Sequence, residues 1–188
     1  KTGLIMHTTL LIGHPYDKSF NHVILAKLLE RYPSATVINL VTDGFNPAML
    51  ADDLALFSKG AYADPLVGKY QQILSQTDKL IIIAPIWWYG LPAIKGFFDK
   101  VMLKNFAYTE ATGRLVGQLT HIKETVVITT GIAPAIYLRL IAGHPIGALK
   151  KRILKDMGLK QVKWFHKGNV TKSAENNKKW LAAVGKKV

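Results

Sequence analysis

Five short apolar runs recur along the chain, and the stretches between them carry helical spacing. The runs are "TTLLIG" (8–13), "ATVINL" (35–40), "KLIIIA" (79–84), "TVVITT" (125–130) and "QVKWFH" (161–166). Between the first two, Phe20, Val23, Ile24, Ala26, Leu28 and Leu29 repeat at helical intervals, with Ser19 as N-cap and Pro33 beyond the far end. Further helices are expected over roughly 48–59 and 65–76, from Pro92 onward, within "IGALKKRILKDMG", and over about 173–184. "KLIIIA" is apolar without a break, as a strand covered on both faces must be. Strands alternating with helices require a parallel sheet between two helical layers. The expectation is an α/β three-layer sandwich around a five-stranded parallel sheet in the order 2-1-3-4-5.

Composition narrows what such a fold does. The 188 residues are 49% hydrophobic and 20% charged, which suits one globular domain over residues 1–188. No apolar stretch approaches the roughly 20 residues of a membrane helix, and the first residues lack the pattern of a secretory leader. Residues 1–5 read as an extension ahead of Met6. Cysteine is absent, which excludes disulfides, zinc–thiolate sites and cysteine nucleophiles and makes a cytoplasmic protein the expectation. Net charge is +13, and residues 147–188 hold twelve Lys or Arg against Asp156 and Glu175. Such a region is either a solvated surface or a face for an acidic protein partner. No RGG tract, zinc knuckle or RNP-like motif supports nucleic-acid binding.

In a sheet of this order ligands bind beyond the carboxyl ends of the strands, near the switch in strand order. Three loops should therefore converge: "GHPYDKSFN", "PIWWYGLP" and "TTGIAPAIY". The first sets Ser19 and Asn21 at a helix N-terminus with His14 beside them, which is either an ordinary cap or an anion site fit for a phosphate. No Walker loop and no G-x-G-x-x-G is present. The second loop places Trp87, Trp88 and Tyr89 on a turn at a strand end. Three large rings there make a stacking wall for a flat conjugated ligand. The third holds Thr129, Thr130 and Gly131, whose amides suit a polar ring edge, and Tyr137 downstream as a donor or as packing. With no G-x-S-x-G, no H-E-x-x-H and no closely spaced His pair, hydrolase and metal chemistry are not expected.

Together these residues resemble the flavodoxin-like NAD(P)H:quinone reductase family of DT-diaphorase type, over about Leu10 to Thr130. "GHPYDKSFN", "GFNP", "PIWWYGLPAIKGFFDKV", "FAYT" and "VVITTG" carry the resemblance. It implies a flavodoxin-like fold in which His14, Ser19, Phe20 and Asn21 hold the flavin phosphate and ribityl chain. By the same resemblance Pro85, Ile86, Trp87, Trp88, Tyr89 and Gly90 cradle the isoalloxazine, while Thr129, Thr130 and Gly131 line its pyrimidine edge. Tyr137 takes the place of a catalytic tyrosine. His144, one residue past the family's histidine, is the second catalytic candidate, and Trp88 and Tyr108 are candidate substrate contacts. Ile132 stands where the family often has a second glycine, and Glu110 where it has a second gating tyrosine.

The resemblance further implies FMN, with FAD as the alternative, and NAD(P)H as co-substrate. The activity would be two-electron ping-pong reduction of a quinone, nitro or azo acceptor by a homodimer with its site at the subunit interface. The rival reading is an ancillary flavoprotein subunit of a potassium efflux system.

Overall fold

The computed structural model describes residues 6–188, so the extension ahead of Met6 lies outside the described residues. Strand β1 (Thr8–Ile12) is followed by helix α1 (Phe20–Arg31), β2 (Thr36–Asn39), α2 (Ala51–Phe57), α3 (Pro65–Ser75), β3 (Lys79–Pro85) and α4 (Pro92–Val101). A hairpin of β4 (Tyr108–Ala111) and β5 (Arg114–Gly117) precedes β6 (Glu124–Thr130). Short helices α5 (Ala135–Leu140), α6 (Pro145–Ala148) and α7 (Leu154–Asp156) lead to β7 (Val162–Lys167) and α8 (Ala174–Gly185).

Five strands form one parallel sheet in the order β2-β1-β3-β6-β7, which is the 2-1-3-4-5 order of its strands. Side chains alternate between two cores, as the two-residue period of a strand demands. Leu11, Leu80, Ile82 and Val127 face α3 and α4, while Leu10, Ile12, Ile81, Ile83, Val126 and Ile128 face α1 and α8. Every residue of β1 and β3 is buried, which is why "KLIIIA" needs no polar face. Ser19, Asp64 and Ser173 cap α1, α3 and α8, each accepting a first-turn N–H.

Two features escape hydrophobic patterning. The β4–β5 hairpin turns through Thr112 and Gly113, both at positive φ, and its strands are mostly exposed, so no apolar alternation marks them. The helix expected over "IGALKKRILKDMG" is instead α6 and α7 joined by a π-helical turn at Leu149–Ile153. Among the described residues no helix is long and apolar enough to cross a membrane.

One buried ion pair fastens the segment after β2. Lys100 of α4 meets Asp53 of α2 at 3.0 Å and donates to the Asn46 carbonyl at 3.1 Å. Burial opposes ionisation of Asp53, yet the Leu50 N–H and the Lys100 ammonium together hold its carboxyl below the ordinary value. Four residues earlier in α4, a Cβ on Gly96 would lie 2.1 Å from the Pro47 carbonyl oxygen, so only glycine lets this helix and the "GFNP" loop approach.

Candidate functional site

The carboxyl ends of β1, β3, β6 and β7 open on one cleft of about 890 Å³, within the range of ligand pockets of roughly 300–1,000 Å³. His14, Ser19, Phe20, Asn21, Pro85, Ile86, Trp87, Trp88, Tyr89, Thr130 and Gly131 all line it. The three loops named from the sequence therefore converge, because strand order alone puts β1 and β3 at the switch and β6 beside them.

The floor is tied across the sheet. Ile86 donates its N–H to the Thr130 carbonyl at 2.8 Å, and the buried Asn21 amide donates to Thr130 Oγ1 at 3.0 Å. Asn21→Ala leaves that hydroxyl buried without its partner. The expected loss is about 1–3 kcal/mol, read as a shift in the urea midpoint at unchanged slope.

At one end stands the N-terminus of α1, whose first N–H groups have no intrahelical acceptor and point toward the incoming loop. Ser19 Oγ caps His22 N–H at 3.4 Å. His14 Nδ1 accepts the Tyr16 N–H at 3.1 Å, so the neutral ring carries its proton on Nε2 and offers a donor there. Burial lowers the His14 pKa, and repulsion from His22 acts in the same direction.

Against this end packs the aromatic turn, the Trp87 ring standing edge-on 5.5 Å from the His14 ring. Trp87 and Gly90 exchange both backbone hydrogen bonds, at 3.1 and 3.0 Å, and enclose Trp88 and Tyr89 at φ 47° and 60°. This is the geometry of a type I′ turn, whose central positions favour Asn and Gly. Bulky residues there are strained. Among the described residues nothing repays that strain at Trp88, which is 96% exposed. Gly90 closes the turn without lining the cleft. A flat ring laid in the cleft would meet the aromatic side chains on this turn and would place its anionic tail at α1. The residues present fit a flavin that carries a phosphate.

Other assignments change. Thr129 is fully buried and turns away from the cleft, accepting from Trp164 Nε1 and bonding His166 Nδ1, both at 2.8 Å. Tyr137 is not among the lining residues; its hydroxyl lies 3.5 Å from that of Tyr89, which is. That contact is the first cause of an upward shift in the Tyr89 pKa.

His144 does not reach the cleft. Gly143 and His144 are successive left-handed residues that turn the chain into α6, and the imidazole packs 5.4 Å from the Trp164 ring with Nδ1 unpartnered. Tyr108 lines a separate groove of about 400 Å³ with Phe98, Met102 and Arg152, and within one chain it is not part of the cleft.

His166 lines the cleft as well as His14, along with Tyr16, Ile132, Ala133, Leu138, Val170 and Thr171. The switch-point argument carried to the end of the fifth apolar run would have found it.

A profile of the Flavodoxin_2 family, described as a flavodoxin-like fold, matches residues 6–188. A Haemophilus influenzae protein named as an uncharacterized NAD(P)H oxidoreductase is 30% identical over 133 residues, 67% of this chain and 65% of its own. NAD(P)H dehydrogenase (quinone) 1 of Rattus norvegicus is 26% identical over 154 residues, 71% of this chain and 56% of its own. The chain thus spans less than two thirds of either relative. Among solved structures, Smu.1420 of Streptococcus mutans UA159 superposes with a TM-score of 0.83 at 29% identity, covering 96% of this chain and 97% of that one. A match running through every described residue, on a sheet with the strand order that fold requires, makes this chain a member of the flavodoxin-like fold family.

Proposed function

We propose that the chain is an NAD(P)H-dependent oxidoreductase that holds FMN in this cleft and reduces quinone, nitro or azo acceptors. The observation that carries the reading is that the aromatic turn at Trp87–Tyr89 and the α1 N-terminus at Ser19–Asn21 line the same cleft. One helix N-terminus suits one phosphate, which favours FMN over FAD. The relatives are named for oxidoreductase activity, which favours catalysis over an ancillary role beside an efflux system.

When bound, the flavin supplies the redox chemistry, taking hydride from a nicotinamide and passing two electrons to the acceptor. The protein's part is placement. The α1 N-terminus, Ser19 and His14 Nε2–H would meet the phosphate, while Trp87 and Trp88 would confine the ring. The loop after β6 turns backbone N–H groups toward the ring's polar edge, where negative charge grows during reduction. The Tyr137 hydroxyl would add a donor beside that of Tyr89. Nicotinamide and acceptor would take the same open face in turn, as ping-pong kinetics requires.

A homodimer with the cleft at its interface accounts for the exposed apolar surface of Trp88, Ile132, Ile136, Leu140 and Ile141. It is also the arrangement by which Tyr108 of a second copy can contribute to a site. Sedimentation at micromolar concentration should give twice the monomer mass.

Flavin titration, monitored by fluorescence quenching and thermal shift, should show one FMN per subunit. Steady-state oxidation of NADPH or NADH should require a quinone acceptor. No binding and no oxidation under saturating flavin would overturn the reading. Tyr137→Phe should slow anaerobic reduction by about tenfold, some 1.4 kcal/mol, with FMN affinity nearly unchanged. Wild-type reduction rates in that variant would remove Tyr137 from the mechanism.

A further inference from the structure

His166 lies at the carboxyl end of β7, lines the cleft, and is bonded on both ring nitrogens. Its Nε2 is 2.9 Å from the Ala133 carbonyl, which only accepts, so Nε2 carries the proton. Nδ1 then accepts from the Thr129 hydroxyl at 2.8 Å, and that hydroxyl in turn accepts from Trp164 Nε1–H at 2.8 Å. The chain of donors runs one way: Trp164 to Thr129, Thr129 to His166, His166 to Ala133. Each polar atom in it is satisfied by one tautomer alone.

The two ends of this bridge hold the loop that carries the candidate ring-edge contacts. Thr129 is the second-last residue of β6, and Ala133 is the last residue before Pro134. A residue before proline is confined to extended conformations, so the loop is pinned at a stiff point. Between the pins lie Thr130, Gly131 and Ile132. Gly131 N–H is used by the Lys167 carbonyl at 3.0 Å, whereas among the described residues no acceptor pairs with the N–H of Ile132 or Ala133. These free donors stand beside the cleft at the position the bridge sets. A Cβ on Gly131 would lie 3.4 Å from His166 Cε1, so the imidazole also packs directly under the loop.

We propose that His166 is a positioning residue: in its neutral Nε2–H tautomer it clamps Thr129 to Ala133 and so aims the Ile132 and Ala133 N–H groups at the polar edge of a bound flavin. This rests on the flavin reading above. It predicts a pH dependence. The charged and titratable groups around the ring are Lys167 on its own strand, Arg139 on α5, and His144, whose ring also meets Trp164; none is a carboxylate. Burial holds the His166 pKa below its ordinary 6.5, against the bond to Ala133, and Lys167 and Arg139 push it the same way as burial. The neutral form is therefore complete above pH 6.5 and lost as pH falls through the lowered folded value. Protonated Nδ1 would donate to Thr129, whose own proton would then have no acceptor.

The test has two parts. In the flavin-free protein, nitrogen chemical shifts of the His166 ring should show a protonated Nε2 and a bare Nδ1 at pH 7.5. A protonated Nδ1 there overturns the proposal whether or not flavin binds. In the second part, FMN dissociation constants are measured from pH 5 to 8 for the wild type, His166→Phe and His166→Gln. His166→Phe should bind about tenfold more weakly at pH 7.5. His166→Gln, which keeps an N–H for Ala133, should recover part of that loss. Both should weaken less than the wild type on acidification, keeping only the part that comes from the FMN phosphate, whose second pKa is about 6. Should His166→Phe not fold, His166→Gln decides by its pH profile. Wild-type affinity together with a wild-type pH profile in a folded variant overturns the positioning role. A wild type that binds no FMN overturns the flavin reading instead, and the tautomer measurement still decides the clamp.

Discussion

Lys100→Met is expected to lower stability by about 3–5 kcal/mol, because it strands the Asp53 carboxylate in a dry site. Lys100 and Asp53 side chains are 3% and 9% exposed and 3.0 Å apart. Lys100 also stands 5.5 Å from the Phe45 ring centroid and donates to Asn46, so one ammonium ties α2, α4 and the "GFNP" loop. A loss of that size lowers the melting temperature by roughly 6–20 °C for a domain of this length. The double variant Asp53→Leu, Lys100→Met should regain most of it, since an apolar pair of similar volume needs no counterion. Acid separates the proteins further. The folded Asp53 pKa lies below its ordinary value, so in the wild type its contribution is present above that value and lost as pH falls through the lowered one. In Lys100→Met the stranded carboxyl takes up a proton, and the deficit should shrink from pH 7 to pH 4. An unchanged melting temperature in Lys100→Met, or no recovery in the double variant, would show that the pair is not holding these elements.

The second large effect has opposite signs for stability and function. Trp88→Gly, Tyr89→Gly removes two left-handed L-residues, each strained by about 1–2 kcal/mol. Added glycine freedom in the unfolded chain takes back roughly 0.5–1 kcal/mol per site. Trp88 is almost wholly exposed and contributes little packing to the fold. The net expectation is a modest gain in stability. FMN affinity should move the other way, by about 2–6 kcal/mol for two ring contacts at 1–3 kcal/mol each, which is roughly thirtyfold or more. Chemical denaturation without flavin and fluorescence titration with it measure the two quantities separately. A variant that loses both stability and affinity would mean the turn is a packing element of the fold. Intact affinity would assign the rings to a partner surface.

The parts of this structure legible in the sequence are those governed by short-range pattern. Buried parallel strands read as unbroken apolar runs, and amphipathic helices as a 3.6-residue period, so strand order and the three converging loops followed from elementary rules. Topology alone brings Asn21, Trp87–Tyr89 and Thr130 to one cleft. The β4–β5 hairpin was not, because neither strand buries a face. The π turn at Leu149–Ile153 was not, because a one-residue change in hydrogen-bond register leaves the apolar spacing nearly unaltered.

Histidines show the division most sharply. His144 and His166 are 22 residues apart, and both rings meet the same tryptophan. In the sequence His144 is a candidate only through its nearness, one residue off, to a family position. Two left-handed residues at Gly143 and His144 turn that side chain away, and backbone φ angles of this kind leave little trace in residue type once glycine is not required. His166 reaches the cleft because β7 pairs with β6 in the register Thr129↔His166, a long-range pairing 37 residues apart. The sequence alone determined the layers, the strand order and the loops that meet, since those depend on which residues must leave water. Which side chain enters the cleft, which stays beneath it, and which neutral tautomer holds the loop were decided only in the tertiary structure, because strand register and hydrogen-bond direction exist only between segments.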